Sequence, residues 1–362
     1  MGRLKTLIAV LVLTSLAALL PAAAQDRIRI GVVADFSQYG GNEGQQFRAG
    51  VSAAQNDQRQ VANRPVEVIV RDHQNKPDVA VSDSRQLIEA EHVNFLIVKG
   101  RPPVMLAVSR VSEQQQTPTI FVGLSMKPFS ERQQQYSFHM GDSVEQLAKL
   151  AVRYAKDNQG GRTGFIFESR LYSDALSREA QASQLPLHNW NGAAGSPAIV
   201  FTFDHDARDL HLDELPSNSI LVGGTNVMGL GRLGNQIKVA AIAPHDPSLR
   251  KPPGLPPSLK DVKGADAYYG YAAFQILARA ARNDPAPDRV AASMRADSFE
   301  TVLGQINFMA GGECRQPKLT VYVMNDNGSF QLCPDCGGVH DGCNGSACKC
   351  KDGSCNNDCC NK

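Results

Sequence analysis

The sequence predicts an α/β protein of two Rossmann-like lobes, each a parallel sheet covered by helices, joined by a hinge and followed by a Cys-rich C-terminal tail. Three observations lead there. Short apolar runs rich in β-branched residues alternate with amphipathic helical stretches of about 10 to 15 residues, the order that β-α-β units impose. The alternation starts twice, near Ile28 and again near Asp142. Eight of the nine cysteines lie between Cys333 and Cys360, in a segment with almost no apolar residue after Val339.

The first lobe opens with the run Ile28 to Val33, the polar turn Ser37 to Gly44, and a helix from Gln45 to about Asn56 that carries Phe47, Val51 and Ala54 at helical spacing. Val66 to Val70 reads as a strand, Pro77 to His92 as a helix with Val79, Leu87 and Ile88 on one face, and Phe95 to Val98 as a strand. The segment Pro102 to Gln115 is a helix and Thr119 to Val122 a fourth strand. In the second lobe, Asp142 to Asp157 is a helix with an Asp or Ser cap, Thr163 to Phe167 a strand, and Ser173 to Gln184 a helix. Strands follow at Ala198 to Phe203, Ser219 to Val222 and Val239 to Ile242, with part of a helix at Gly231 to Gln236. Pro244 to Pro257 is a Pro-rich loop. Asp261 to Arg282 is a long helix with Tyr268, Tyr271, Phe274, Ile276 and Leu277, and Arg289 to Ala296 a further one. A strand at Leu319 to Val323 precedes the Asn325-Asp326-Asn327-Gly328 turn.

The first residues read as a secretory signal over 1–24. Arg3 and Lys5 form a positive start, Leu7 to Leu20 an apolar run, and Ala22-Ala23-Ala24 a small-residue cleavage site before Gln25. An apolar run of about 14 residues falls short of the roughly 20 that span a bilayer. With no Cys at the cleavage point, a free periplasmic protein is expected. Hydrophobic residues at 42% and charged residues at 20% match a soluble globule. Lys and Arg total 37 against 36 acidic residues, and no long basic run appears, so neither nucleic acid nor an anionic membrane surface is indicated.

Catalytic motifs are missing from the sequence: there is no Gly-x-Ser-x-Gly elbow, no HExxH and no P-loop. No enzymatic activity and no cofactor are expected. Gly229-Leu230-Gly231-Arg232-Leu233-Gly234 has the letters of a dinucleotide fingerprint, but it follows Val222 by several residues instead of starting at the strand end, which such a motif requires. His205 between Asp204 and Asp206, with His211 further on, lacks the spacing of metal ligands and reads as a solvated loop. The Tyr268-Tyr269-Tyr271 cluster, like Tyr172, could line a cleft, since aromatic faces with a polar tip suit small-ligand pockets, although Tyr271 fits a helix core better. Tyr172, after the strand Thr163 to Phe167, is placed at the carboxyl edge of the second sheet, where open parallel sheets bind ligands.

The order of elements resembles the periplasmic solute-binding proteins of branched-chain amino acid ABC transporters, which have the type I periplasmic-binding fold. The resemblance is carried by Ile28 to Val33 with Tyr39-Gly40-Gly41, Val66 to Asp72 with the helix after Pro77, and Phe95 to Gly100. It continues through Gly164 to Ser173, Ser219 to Gly224, Ala272 to Leu277, and Ala296 to Ile306, which looks like that family's C-terminal helix-to-strand signature. It covers roughly residues 26 to 332. It implies one lobe from 25–140 with 263–303, a second from 141–262 with 304–332, and a separate tail at 333–362. It further implies a monomer that closes on a small polar solute between its lobes and presents it to a membrane permease. The ligand contacts implied are Tyr39 in the Asp35 to Gly41 loop, Arg101, Ser125, Tyr172, Asn226 and Asp246. Members that bind amino acids carry Ser or Thr after the third and fourth strands of the first lobe, where this chain reads Arg101-Pro102-Pro103 and Gly123-Leu124-Ser125. Only Ser125 keeps a hydroxyl, and Arg101 offers instead a planar fork for an anionic group. Asp246 stands near the family's acidic position for a substrate ammonium.

The tail contains CxxC, CxC and CC spacings and cannot build a core, so cross-links or metal must order it. Four disulfides are the reading that the compartment favours. Thiolate ligation of a soft metal, with Cys333, Cys336, Cys348, Cys350, Cys359 and Cys360 as candidates, is the alternative. A ligand-sensing subunit on the same fold, or metal capture through the tail, are the other roles compatible with this sequence.

Overall fold

The computed structural model describes residues 27–37, 42–125, 134–158, 162–166, 170–189, 198–203, 215–228, 230, 233–234, 236–244, 255–262, 264–315 and 319–333. The described residues form two compact units. The first takes those up to Val122 together with 134–139 and 255–312, and the second takes 123–125, 140–244 and 313–333. Sequence analysis ended the first lobe's last segment at 303, whereas the first unit extends through Gly312. The leader, 1–24, and the tail beyond Cys333 lie outside the described residues.

The first unit is built on a six-stranded sheet of order β2-β3-β1-β4-β5-β6. These strands are β1 (Ile28–Ala34), β2 (Gln60–Val61), β3 (Arg64–Asp72), β4 (Phe95–Lys99), β5 (Thr119–Val122) and β6 (Ser137–Met140). β3, β1, β4 and β5 run parallel, with Ile30 opposite Val68 on one side and Phe95 on the other. The four central residues Phe95, Leu96, Ile97 and Val98 are fully buried, as a strand covered on both faces requires. Helices α1 (Glu43–Asp57), α2 (Pro77–Glu89) and α3 (Pro102–Gln114) connect the strands, and two of them start on proline, whose fixed φ suits a first turn.

The later part of the chain returns to this unit as α6 (Ala265–Ala280), α7 (Pro287–Ala296) and the hairpin β12 (Phe299–Thr301) and β13 (Gly304–Ile306). Helix α6 is apolar nearly all round and packs on α1 at close range. A Cβ on Gly50 would lie 1.8 Å from the Ala267 carbonyl oxygen, and one on Gly270 would lie 2.5 Å from that of Phe47. The two glycines let the backbones meet where any larger residue would hold them apart. The helix begins at Ala265 and not at Asp261, since Gly264 at φ +91° breaks it. Tyr268, Tyr269 and Tyr271 are buried on it, and the Tyr271 hydroxyl donates to Asp57 Oδ2 at 2.8 Å.

The second unit has a seven-stranded sheet of order β15-β14-β11-β10-β9-β7-β8. Its strands are β7 (Thr163–Ile166), β8 (Leu187–Asn189), β9 (Ala198–Thr202), β10 (Ile220–Gly223), β11 (Lys238–Pro244), β14 (Leu319–Met324) and β15 (Phe330–Leu332). The five strands β8, β7, β9, β10 and β11 are parallel, and β14 and β15 add antiparallel at one edge. Helices α4 (Val144–Asp157) and α5 (Arg170–Ala182) cover one face, burying Leu147, Ala151 and Leu176 against Ile199, Phe201, Val222 and Ile242. Val200, Leu221, Ala241 and Tyr322 pack on the other face. The expected helix at 231–236 is not found at its described residues Leu233, Gly234 and Gln236. A 3-10 turn at Thr225–Val227 follows β10 instead, because Asn226 folds back on the strand end. No helix among the described residues is long and apolar enough to cross a membrane.

Candidate functional site

In a parallel sheet every strand leaves at the same edge, so the loops after the strands gather where helix N-termini and turn amides can meet a ligand. The first unit's carboxyl edge is built from the ends of β1, β3 and β4. After β1, Asp35 Oδ1 accepts from both the amide (3.0 Å) and the hydroxyl (2.5 Å) of Ser37, which fixes the start of the loop. Its continuation with Tyr39 lies outside the described residues. After β3, Asp72 Oδ1 accepts from the amides of Phe36 and Gln74, each at 3.0 Å, tying two strand ends together. His73 is fully buried. Its Nδ1 accepts from the Asn75 amide at 3.0 Å, so its Nε2 carries the proton and donates to the Lys99 carbonyl at 2.8 Å. Both nitrogens are committed, and the ring braces β3 against β4.

Lys99 ends the apolar β4, and its ammonium meets Asp266 Oδ1 at 2.5 Å and Glu43 Oε2 at 3.5 Å. Burial alone would depress its pKa, but the two carboxylates outweigh that penalty and hold it above the ordinary lysine range. This ion triad joins the first turns of α1 and α6 to the strand end. The triad is not among the residues expected from the sequence, although a lysine closing Phe95-Leu96-Ile97-Val98 is a visible sign of a buried charge needing partners. Arg101 caps α3 from the next turn. It is exposed, and its side chain makes no hydrogen bond or ion pair among the described residues. Pro102 and Pro103 bring no N–H, and the Met105 amide is bonded to the Arg101 carbonyl at 3.1 Å. The first turn of α3 therefore offers a ligand at most the Val104 amide.

In the second unit, Ser125 is fully buried. Its amide donates to the Asp142 carbonyl at 2.9 Å and its carbonyl accepts from Val144 at 3.0 Å, while its hydroxyl has no partner. At the end of β9 the Thr202 hydroxyl is likewise fully buried, and neither hydroxyl has a partner among the described residues. Beside it, Asn226 accepts from the Gly224 amide at 2.8 Å and donates to the Thr202 carbonyl at 3.2 Å, so its side chain staples β10 to β9. Gly223 is required in this corner, as a Cβ there would stand 2.7 Å from the Thr202 carbonyl. Tyr172 does not sit in a loop: it lies in the first turn of α5, is 6% exposed, and stacks on Phe203 with ring centres 6.2 Å apart. The helix begins three residues earlier than its sequence pattern indicates, which turns the ring into the core. Asp246, His205 and His211 lie outside the described residues, as do all the metal candidates of the tail except Cys333, which is disulfide-bonded.

Residues 27–185 match the family model described as periplasmic binding protein. The fold is that of solved solute-binding proteins. Leucine binding protein LivK from Thermotoga maritima aligns with a TM-score of 0.69 and 14% identity, covering 84% of this chain and 97% of that one. A solute binding protein of an ABC transporter from Rhodopseudomonas palustris, solved with 3,4-dihydroxybenzoic acid, aligns at 0.67 and 15%, covering 85% and 96%. An ABC transporter substrate-binding protein from Desulfitobacterium hafniense, solved with Leu, aligns at 0.65 and 16%, covering 85% and 100%. The resemblance read from the sequence thus holds for the fold, and residues 27–185 are similar to the periplasmic binding protein family model. No curated protein matches the chain.

Proposed function

We propose that this protein is the periplasmic substrate-binding component of an ABC transporter and that it binds a small organic solute without transforming it. The observation that carries this reading is the correspondence of both units, over 84–85% of the chain, to almost the whole length of proteins of that role. The leader with its Arg3 and Lys5 start and its small-residue cleavage site supports export to the periplasm. Two fully buried hydroxyls without partners, Ser125 and Thr202, stand at strand ends where a solute would arrive, and such groups are uncommon unless something completes them. The described carboxyl edge of the first unit presents bracing contacts and the open guanidinium of Arg101, which could hold a polar solute.

The contacts proposed on described segments are Arg101 in the first unit and Ser125 and Asn226 in the second, with Tyr39 and Asp246, which lie outside the described residues, proposed from the sequence. The partner is a membrane permease, and the working form is a monomer. Osmotic-shock fractionation with N-terminal sequencing is expected to recover a soluble chain that starts at Gln25. A chain retained in the membrane, or one that keeps its leader, would contradict the export assignment.

A further inference from the structure

We infer that Arg101 is the anion anchor of the site and that the solute is a small organic acid, recognised through its carboxylate without need of an ammonium group. This rests on the reading of the protein as a solute-binding protein. It follows from an inventory of what the first unit's carboxyl edge can offer. A carboxylate needs hydrogen-bond donors or a cation. The donors that a helix start ordinarily supplies are reduced here to the Val104 amide, because Pro102 and Pro103 occupy the first two positions of α3 and the Met105 amide is already bonded. His73 has both nitrogens engaged. Lys99 is held between Asp266 and Glu43. Lys76, on the turn after β3, reaches Gln74 Oε1 at 3.3 Å. Among the described residues Arg101 remains, exposed and without a hydrogen bond or ion pair, just after the strand end.

The carboxylates of this edge explain why it does not simply attract cations. Asp35 and Asp72 each accept two hydrogen bonds from the loops around them, and Glu43 and Asp266 face Lys99. Among the described residues of this edge these acids are absorbed by the scaffold, and Arg101 is left as a free positive charge. A guanidinium presents two parallel N–H groups to a carboxylate, a geometry that an ammonium at the same place cannot copy. The Arg-Pro-Pro sequence thereby trades a cradle of amides and hydroxyls, suited to a zwitterion, for a single strong anion contact.

The test is a thermal-shift and calorimetric comparison of the mature chain with Arg101→Ala, Arg101→Lys and Arg110→Ala. The last removes the same charge from an exposed position at the other end of α3. The probes are mono- and dicarboxylates from acetate to succinate and benzoate, each paired with its primary amide, together with the common amino acids. At least one carboxylate is expected to raise Tm, and its amide is not. Arg101→Ala is expected to weaken that carboxylate about 10- to 100-fold, Arg101→Lys less, and Arg110→Ala not at all, with Tm of the empty protein unchanged in all three. A carboxylate that binds equally well to Arg101→Ala overturns the inference, and so does a chain that takes only neutral or zwitterionic solutes, although solute binding then stands. A chain that no solute stabilises overturns the solute-binding reading itself.

Discussion

Lys99 shows how one side chain can be invisible in function and decisive for structure. Its side chain is 16% exposed and that of Asp266 14%, so Lys99→Met leaves a largely buried carboxylate short of its counter-charge. Loss of about 3 kcal/mol is expected, read as a lower urea midpoint. Because the folded pKa lies above the ordinary 10.5, the triad's contribution is complete below that value and disappears only as pH rises beyond it. Stability measured between pH 6 and pH 9 is expected to show no decline from this group, and a triad-dependent loss in that interval would contradict the assignment. Gly50 makes a second residue-scale case. Gly50→Ala must push α1 off the Ala267 carbonyl and is expected to cost about 1–3 kcal/mol, checked by the same unfolding curve. At this scale the sequence was a mixed guide. Arg101 draws notice in the sequence because a charged residue followed by two prolines is odd at a strand end, and its exposed place at the start of α3 is what that pattern indicates. Tyr172 misled, since its place in the core depends on where α5 starts, and the triad joins residues 167 positions apart that no local pattern connects.

At the scale of elements, the long periodic segments were the legible ones. Each parallel strand of the first unit and the helices between them follow from runs of buried β-branched residues and from apolar spacing near 3.6. What escaped were β2, β6, β8 and the hairpin β12 to β13, elements of two to four residues that exist because a neighbouring strand supplies their hydrogen bonds. Too few residues alternate in them to leave a period. Helix α4 illustrates a boundary that sequence chemistry does specify. Ser143 accepts from the Gln146 amide at 3.2 Å and the Gln146 side chain accepts from the Ser143 amide at 2.7 Å, closing a capping box. Ser143→Ala is expected to destabilise the second unit by about 1 kcal/mol, while the backbone bridge to Ser125 persists. Chemical denaturation of the variant checks it, and an unchanged midpoint would mean that the cap carries little of the helix.

For the whole molecule, the body and the tail make separate demands. The last described residue, Cys333, donates its amide to Val321 at 2.9 Å and packs half-buried on the second unit's core. Truncation after Leu332 removes that bond together with the packing and disulfide of Cys333, so a stability loss of about 1–2 kcal/mol and an unchanged solute affinity are expected. Abolished binding would show that the tail belongs to the site. Thiol counting on the periplasmic protein separates the two chemistries of the tail: four disulfides leave none of its eight thiols reactive, whereas a metal site leaves thiolates and co-purifying zinc or copper. The central claim is reversible binding of a small solute without chemistry, and isothermal titration with the solute that gives the largest thermal shift tests it most directly. The expected result is one site per chain, a Tm gain that grows with concentration as RT ln(1 + [L]/Kd), and full recovery of unaltered solute after release. A solute consumed or converted during incubation, or a folded chain that no small solute stabilises, would contradict it.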